Sequence, residues 1–299
     1  MTRLADLAEL VRAPAALSVP GDVLSGAAAA GALGPRTPAL AGASVLLYWA
    51  GMAANDWADR RLDAVERPER PIPSGRVRPS VALGVASGLT AAGLAVATAA
   101  GGRRAAAVAL PLAATIWGYD LRAKNTAAGP AVMAACRGLD VLLGASGGRV
   151  VRALPAALTV AAHTWTVTAL SRREVTGADR RLPGLTLAGT ALIALATPAR
   201  PTPSATGSGR SGAGRAARLG DLVPAVLAAG YAARYGRAQA RVLADPSPGR
   251  VRAAVGAGIT GLPALQGALT ARAGARLLGL AVAGAAPLGR RLARLISPT

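Results

Sequence analysis

The sequence predicts an all-α protein that crosses a membrane about nine or ten times, as a helical bundle around a central cavity. Two observations lead to this fold class. The 299 residues are 52% apolar and their mean hydropathy is +0.39 despite 34 basic residues, so apolar and charged residues must be segregated along the chain. Apolar stretches of about 17–22 residues also recur from end to end, which is the length that a helix needs to span a bilayer.

The apolar stretches are bounded by Arg, Pro or Gly and form one predicted domain over residues 1–299. The predicted spans are 14–33, 38–56, 80–100, 104–120, 129–147, 153–171, 182–198, 220–236, 253–270 and 277–290. The last two are alternatively one span and a surface helix. The stretch 199–219 is rich in Gly, Ser and Pro and predicts a flexible loop. No cleavable signal peptide is expected, so the first span itself enters the membrane.

The net charge of +20 is explained by loops and not by nucleic acid, because no basic stripe with interleaved aromatic residues is present. With a cytoplasmic amino terminus, the loops on that side carry about twice as many basic residues as the opposite loops, in agreement with the positive-inside rule. Loops 57–79, 121–128 and 172–181 then share the cytoplasmic face of a multi-pass plasma-membrane protein. The single cysteine, Cys136, lies in an apolar stretch, which excludes an internal disulfide and a metal–thiolate site.

A cluster of acids follows the second predicted span. On a continuing helix, Asn55, Asp56, Asp59 and Asp63 share one face, and five of the 14 acids of the chain lie between positions 56 and 69. Clustered carboxylates repel one another unless a cation neutralises them, and oxygen ligands suit Mg²⁺. The alternative is a solvated helix end whose acids pair with the neighbouring arginines.

Four segments resemble the UbiA family of integral membrane prenyltransferases. Asn55 to Asp63 is similar to the first aspartate-rich motif of that family, N-D-x-x-D-x-x-x-D, and Arg70 to Arg76 is similar to the R-P-x-P-S-G-x stretch that accompanies it. Tyr119 to Lys124 resembles the Y-D-x-x-x-K element. Arg137 to Gly144 resembles R-G-x-N-x-x-x-G, with Asp140 in place of the usual Asn.

The resemblance implies a UbiA-like bundle that uses Mg²⁺ to transfer a prenyl group from an isoprenyl diphosphate to a lipophilic or aromatic acceptor. It makes Asp56, Asp59, Asp63 and Lys124 the expected catalytic residues, and Lys124 is the only lysine of the chain. An ammonium is a compact charge suited to a diphosphate oxygen, although an interfacial anchoring role is the alternative. The expected diphosphate ligands are Asn55, Arg67, Arg70, Arg76, Lys124 and Arg137.

The third cytoplasmic loop stands where the family has its second acidic motif, D-x-x-x-D. Here the acids are Glu174 and Asp179, which do not share a face of a straight helix, and Gly177 would let the loop turn between them. The expected metal ligands are therefore Asn55, Asp56, Asp59, Asp63, Glu174 and Asp179.

Polar residues at membrane depth are the remaining candidates. Each buried acid needs a partner, and for Asp140 an intrahelical pair with Arg137 competes with a place in the substrate cavity. His163 is either a proton acceptor for the incoming nucleophile or a packed hydrogen-bonding residue. The expected cavity residues are Asp22, Tyr119, Asp120, Asp140, His163 and Trp165.

Three other functions remain open at this point: a terpene cyclase that uses the same diphosphate site, a transporter coupled through the intramembrane acids and histidine, and a structural membrane protein. The expected partners are the isoprenyl diphosphate, a hydrophobic acceptor and the lipid bilayer, with no nucleic acid and no obligate protein partner.

Overall fold

The computed structural model describes residues 3–197 and 222–285, and every regular element in these two ranges is helical, which confirms the predicted class. The predicted loop 199–219 and residues 286–290 of the last predicted span lie outside the described residues. The elements are α1 Leu4–Leu10, a 3₁₀ segment Ala13–Ser18, α2 Pro20–Ala30, α3 Thr37–Glu66, α4 Pro79–Gly118, a π-helical turn Tyr119–Ala123, α5 Gly129–Ala145, α6 Val150–Ser171, α7 Arg181–Ala196, α8 Val223–Ala244, α9 Pro248–Arg272 and α10 Arg276–Ala285.

Among the residues that the structure describes, three helical segments are long and apolar enough to cross a membrane by length and composition: Thr37–Glu66, Pro79–Ala123 and Val150–Ser171. Two shorter apolar helices, Arg181–Ala196 and Arg276–Ala285, do not reach that length. The helices follow the predicted spans in order, but several are shorter or more polar than a bilayer-spanning segment.

The two spans predicted at 80–100 and 104–120 are the arms of one helical hairpin within α4. Gly102 interrupts the helix with φ 63° and ψ −154°, a conformation that glycine adopts without a steric penalty. Trp117 Nε1 donates a hydrogen bond to Thr90 Oγ1 at 3.1 Å. A continuous helix would separate these residues by about 40 Å at 1.5 Å per residue, so the chain folds back at Gly102.

The prediction of one continuous span at 14–33 is wrong. The chain forms a 3₁₀ segment there and then begins α2 at Pro20, which has no backbone N–H and is tolerated in the first helical turn but not inside a helix. The 11 residues of α2 rise by about 16 Å, roughly half the thickness of a bilayer core. This half-length helix is buried among longer ones.

The two largest of four hydrophobic clusters in the described part of the chain organise the bundle. One gathers side chains of α2, α3, α4 and α5, and the other gathers side chains of α6, α7, α8 and α9 with Val141 of α5. α2 packs closely on α5 because small residues meet there. A Cβ atom added to Gly144 would lie 2.0 Å from the Val23 carbonyl oxygen, so only glycine permits this approach. The candidate site lies within the first group.

Candidate active site

The acidic motif lies on α3, which continues as one helix from Thr37 to Glu66 as expected. Asp56 and Asp63 are two turns apart on this helix and both are buried, with 4% and 3% exposure. Arg70 joins them: its Nη1 lies 3.4 Å from Asp56 Oδ1 and 2.7 Å from Asp63 Oδ2. Arg12 Nη2 adds a contact of 2.9 Å to Asp56 Oδ1, and Arg67 Nη1 lies 4.0 Å from Asp63 Oδ1. Asp56 and Asp63 therefore form one carboxylate pair.

Asn55 and Asp59 form a second group with the π-helical turn. Asn55 Nδ2 donates to Asp120 Oδ1 at 3.1 Å, and Lys124 Nζ lies 2.6 Å from Asp59 Oδ1. The turn is wider than an α-helix, since the N–H of Lys124 bonds the carbonyl five residues earlier, and π-turns of this kind recur at functional sites. The structure thus divides the four predicted ligands of α3 into two neighbouring pairs.

A cavity of about 280 Å³ lies beside this second group, between α3, the second arm of α4 and α5. Asp120 and Tyr119 line it next to the acidic motif, and Asp140 and Arg137 of α5 also line it, so these predicted residues face one volume. The remaining lining is mostly apolar and consists of Val19, Leu47, Tyr48, Gly51, Met52, Leu112, Ile116, Met133 and Cys136, together with Arg12 and Ser44. Such a lining suits an apolar chain with a few polar groups at defined points.

The intrahelical pair of Arg137 with Asp140, one of the two alternatives, is not formed, and Arg137 instead pairs with another helix. Arg137 Nε lies 2.8 Å from Asp22 Oδ2 of α2, and Gln266 Nε2 of α9 donates to Asp22 Oδ1 at 2.6 Å. Asp22 is fully buried in this contact and does not line the cavity, contrary to expectation. Arg137 both contacts Asp22 and lines the cavity, and its role as a diphosphate ligand stays a prediction.

His163 and Trp165 were expected in the cavity, and neither lines it. His163 is 1% exposed, and its Nδ1 lies 2.8 Å from the hydroxyl of Tyr231 on α8. Its ring also packs edge-on against Tyr235. Trp165 points outwards and is 39% exposed. His163 is therefore a packed hydrogen-bonding residue, which was the alternative interpretation.

Arg76 is not directed at the acidic motif. Its guanidinium contacts Asp6 Oδ1 at 2.9 Å and Glu9 Oε2 at 2.6 Å, which ties α1 to the loop after α3. The backbone N–H of Arg3 and the side chain of Arg76 hold the pKa of Asp6 below its usual value. This arginine fastens α1 to the loop after α3, and its role as a diphosphate ligand stays a prediction.

The third loop lies at the same end of the bundle as the other two. Arg172 Nη1 donates to the carbonyl oxygen of Thr126, while Lys124 contacts Asp59. Partial burial raises the pKa of Glu174, opposed by the charge of Arg252. Asp179 Oδ1 accepts from the N–H of Leu182 at 3.0 Å in the first turn of α7. Asp179 is thus a helix-capping residue in this structure.

A magnesium ion prefers oxygen ligands, which the acids of the site supply. Within residues 3–197 and 222–285, no three His, Cys, Asp or Glu side chains converge on one point, so Glu174 and Asp179 do not join the acids of α3 in one cluster. Mg²⁺ needs only one or two protein carboxylates, with water and substrate phosphates completing its coordination. Asp56 and Asp63 both contact the Nη1 atom of Arg70, so one oxygen of each carboxylate already faces the same cationic group. The pair therefore fits the ion.

Two residues of the site were not predicted. No motif in the sequence marks Arg12, yet it lines the cavity and contacts Asp56. Ser44 also lines the cavity, and its position carried a signal. Ser44 lies one helical turn before Tyr48 and about four turns before Asp59. A helical projection of α3 would have shown that these residues lie on nearly the same face.

A family model described as the UbiA prenyltransferase family matches residues 21–199, a range that includes the acidic motif, the π-turn and α5. Among solved structures, one described as a study of digeranylgeranylglyceryl phosphate synthase in membranes covers 91% of this chain and 99% of its own, with a TM-score of 0.66 and 16% identity. An apo UbiA homolog from Aeropyrum pernix covers 88% and 96%, with a TM-score of 0.61 and 17% identity. At these identities the likeness establishes the fold.

Curated relatives match over shorter stretches. The digeranylgeranylglyceryl phosphate synthase of Methanothrix thermoacetophila is 44% identical over 80 residues, 26% of this chain and 30% of that protein. The enzyme of the same name from Natronomonas pharaonis is 45% identical over 85 residues, 28% and 31% of the two chains. The bacteriochlorophyll synthase 33 kDa chain of Cereibacter sphaeroides is 46% identical over 54 residues, 18% of each. The matches thus span less than a third of each relative.

Proposed function

The chain belongs to the UbiA prenyltransferase family, and on that premise we propose that it transfers a prenyl group from an isoprenyl diphosphate to a hydrophobic acceptor within a membrane. The observation that carries the proposal is the position of Lys124. Its ammonium contacts Asp59, whose helix neighbour Asn55 donates to Asp120, and Asp120 lines a mostly apolar cavity. A charged head and an apolar tail are the two parts of an isoprenyl diphosphate.

The basic residues of the site provide the binding energy for the diphosphate. Lys124 neutralises Asp59, and Arg70 neutralises Asp56 and Asp63. A substrate with several negative charges competes for these cations, and hydrogen bonds between ionised groups are about twice as strong as neutral ones. Lys124 and Arg70 would therefore turn to phosphate oxygens, which frees the carboxylates of α3.

Mg²⁺ is the cofactor that the freed carboxylates would hold, with Asp56 and Asp63 as first ligands and Asn55 and Asp59 beside them. When bound, the ion supplies stabilisation of negative charge on the departing diphosphate. A role for Glu174 and Asp179 as ligands of a second ion remains part of the proposal, and it depends on movement of the third loop.

The cavity determines the fate of the prenyl group. The bond between C1 of the prenyl chain and the diphosphate oxygen breaks, and Lys124 stabilises the charge that develops on that oxygen. Leu47, Leu112 and Ile116 provide apolar walls that exclude water from the allylic cation. Capture by an acceptor bound in the same volume is then favoured over hydrolysis.

The site is proposed to open at the cytoplasmic face of the cell membrane, since the basic loops after α3, α4 and α6 lie at one end of the bundle. A transporter receives less support, because Asp22 and His163 are both engaged in buried contacts away from the cavity.

The test is Mg²⁺-dependent release of diphosphate from an isoprenyl diphosphate by the purified protein, with analysis of the prenylated product. Asp59→Ala and Asp63→Ala should lose nearly all activity, and Glu174→Ala should lose less because its side chain stands apart from the α3 acids. Asp245→Ala, which removes an exposed acid at the α8–α9 turn, is the matched control. Equal activity in all four variants would refute the proposal, and a cyclic hydrocarbon product would indicate a cyclase.

A further inference from the structure

Five exposed arginines lie at the end of the bundle opposite the acidic motif, and we call them the arginine rim: Arg36, Arg103, Arg104, Arg149 and Arg152. Their place follows from the direction of the helices, because α3 and α6 begin at this end, α4 turns there at Gly102 and α5 ends there. With the active-site end at the cytoplasm, as proposed, the positive-inside rule predicts few basic residues at the opposite end. A group of five therefore needs an explanation other than topology.

The segments that carry the rim are in contact with one another. The backbone N–H of Arg149 donates to the carbonyl oxygen of Ala30 at 3.1 Å, which joins the loop after α5 to the end of α2 and so to the loop that carries Arg36. A Cβ atom added to Gly101 would lie 3.5 Å from Ser146 Oγ, which places the turn of α4 against the same loop. The rim is thus one continuous surface.

The charge of the rim is not neutralised within the described part of the chain. The rim lies on three segments that contain no acidic residue: 31–36, 99–106 and 145–152. No ion pair or side-chain hydrogen bond joins a rim arginine to another described residue. The active-site end differs, since Arg12, Arg70 and Arg76 all contact carboxylates there. The uncompensated charge of the rim suits an anion.

An exposed apolar face of α6 begins beside the rim. Val151, Leu154 and Leu158 are 76%, 42% and 68% exposed, and their spacing of three and four residues places them on one side of the helix. Arg149 directly precedes α6, and Arg152 lies in its first turn. Arginine side chains at the end of an apolar helix reach the level of the lipid head groups. A phosphate group can therefore contact the rim while an acyl chain lies along the face of α6.

From this arrangement we propose that the arginine rim and the exposed face of α6 together bind an anionic glycerophospholipid in the membrane leaflet opposite the active-site end. A guanidinium donates two parallel hydrogen bonds to a phosphate group, a geometry to which arginine is well suited. The apolar face favours a lipid over inorganic phosphate, which has no apolar part to contact it. A zwitterionic lipid is bound more weakly, because it carries a cation beside its phosphate. None of the rim residues lines the cavity, so this site does not depend on prenyl transfer.

The experiment titrates the full-length protein in detergent with dioleoylphosphatidylglycerol or dioleoylphosphatidylcholine and measures bound lipid by native mass spectrometry. The native chain should bind phosphatidylglycerol more tightly. Arg149→Gln combined with Arg152→Gln should lower that affinity about 25-fold, since each basic residue beside an anionic head group contributes about fivefold. Arg122→Gln combined with Arg173→Gln removes the same charge from exposed positions at the active-site end. This double variant is the matched control and should bind the lipid like the native chain.

A phosphatidylglycerol with a photoreactive diazirine in its acyl chain locates the site in the native protein without any substitution, and it should label α6 between Val151 and Leu158. Label confined to other helices would overturn the proposal, as would equal affinity of the native chain for the two lipids. Equal loss of affinity in the two double variants would do the same, because it would indicate attraction by net charge alone. Displacement of the lipid by an equal concentration of inorganic phosphate would mean that the rim is a site for free anions, which also contradicts the proposal.

Discussion

Replacing Lys124 with methionine removes the ammonium proposed to bind the diphosphate and keeps a side chain of similar length. Lys124 is 13% exposed and its Nζ lies 2.6 Å from Asp59 Oδ1, so the charge is held at a fixed point. A preorganised group aimed at developing charge contributes about 2.7–4 kcal/mol to a transition state. We therefore expect Lys124→Met to lower kcat/KM for the isoprenyl diphosphate by about 10²–10³.

The assay is continuous detection of diphosphate released by the purified protein in detergent, at several substrate concentrations. Arg122→Met is the matched control, since it removes one positive charge from an exposed position on the same π-turn. Lys124→Met also breaks an ion pair, which contributes between about 1 kcal/mol for exposed pairs and 3–5 kcal/mol for buried ones. Thermal unfolding of both variants must therefore show that they are folded at the assay temperature.

Equal kcat/KM values for the two folded variants would refute the role of Lys124. A double-mutant cycle with Asp59→Asn sharpens the result. Because Lys124 and Asp59 are in contact, their effects should not add, and a coupling energy of about 0.5–3 kcal/mol is expected. Strict additivity would mean that the two residues act independently.

Two further predictions concern structure. The pKa of Asp6 is lowered in the folded chain, first by the N–H of Arg3 and then by Arg76. This carboxylate therefore stabilises α1 fully at pH values above its ordinary pKa of 3.8, and the stabilisation is lost as the pH falls through the lower pKa of the folded chain. Hydrogen exchange should show α1 opening in acid, and Arg76→Met should show this opening already at neutral pH. Gly144→Ala should lower stability by about 1–3 kcal/mol through its clash with α2, whereas Gly42→Ala, with open space around it, should be neutral or stabilising in thermal unfolding.

Local patterns predicted the parts of the fold that depend on neighbouring residues. The acids of α3 lie on a continuing helix because nothing between Thr37 and Glu66 interrupts it. The two arms of α4 were predicted separately because Gly101 and Gly102 break an otherwise apolar run. The first span was wrong because hydropathy averages over Pro20 and does not record that the helix starts again there.

Contacts between residues that are far apart in the chain could not be predicted from the spacing of residues in the sequence. Arg137 lies three residues before Asp140, which favoured an intrahelical pair, but its partner Asp22 is supplied by another helix. The direction of His163 was equally hidden, since the spacing of residues along α6 does not reveal which side meets α8. The composition, rich in alanine and glycine, gives every helix several faces that can pack.

The contact of Arg12 with Asp56 makes the segment that follows α1 a part of the site. Arg12 stands at the end of α1 with φ 48°, a left-handed conformation that is uncommon outside glycine, and α1 is itself fastened by Arg76. Deleting residues 1–12 would remove a guanidinium from the acidic motif and leave Arg76 without its carboxylates.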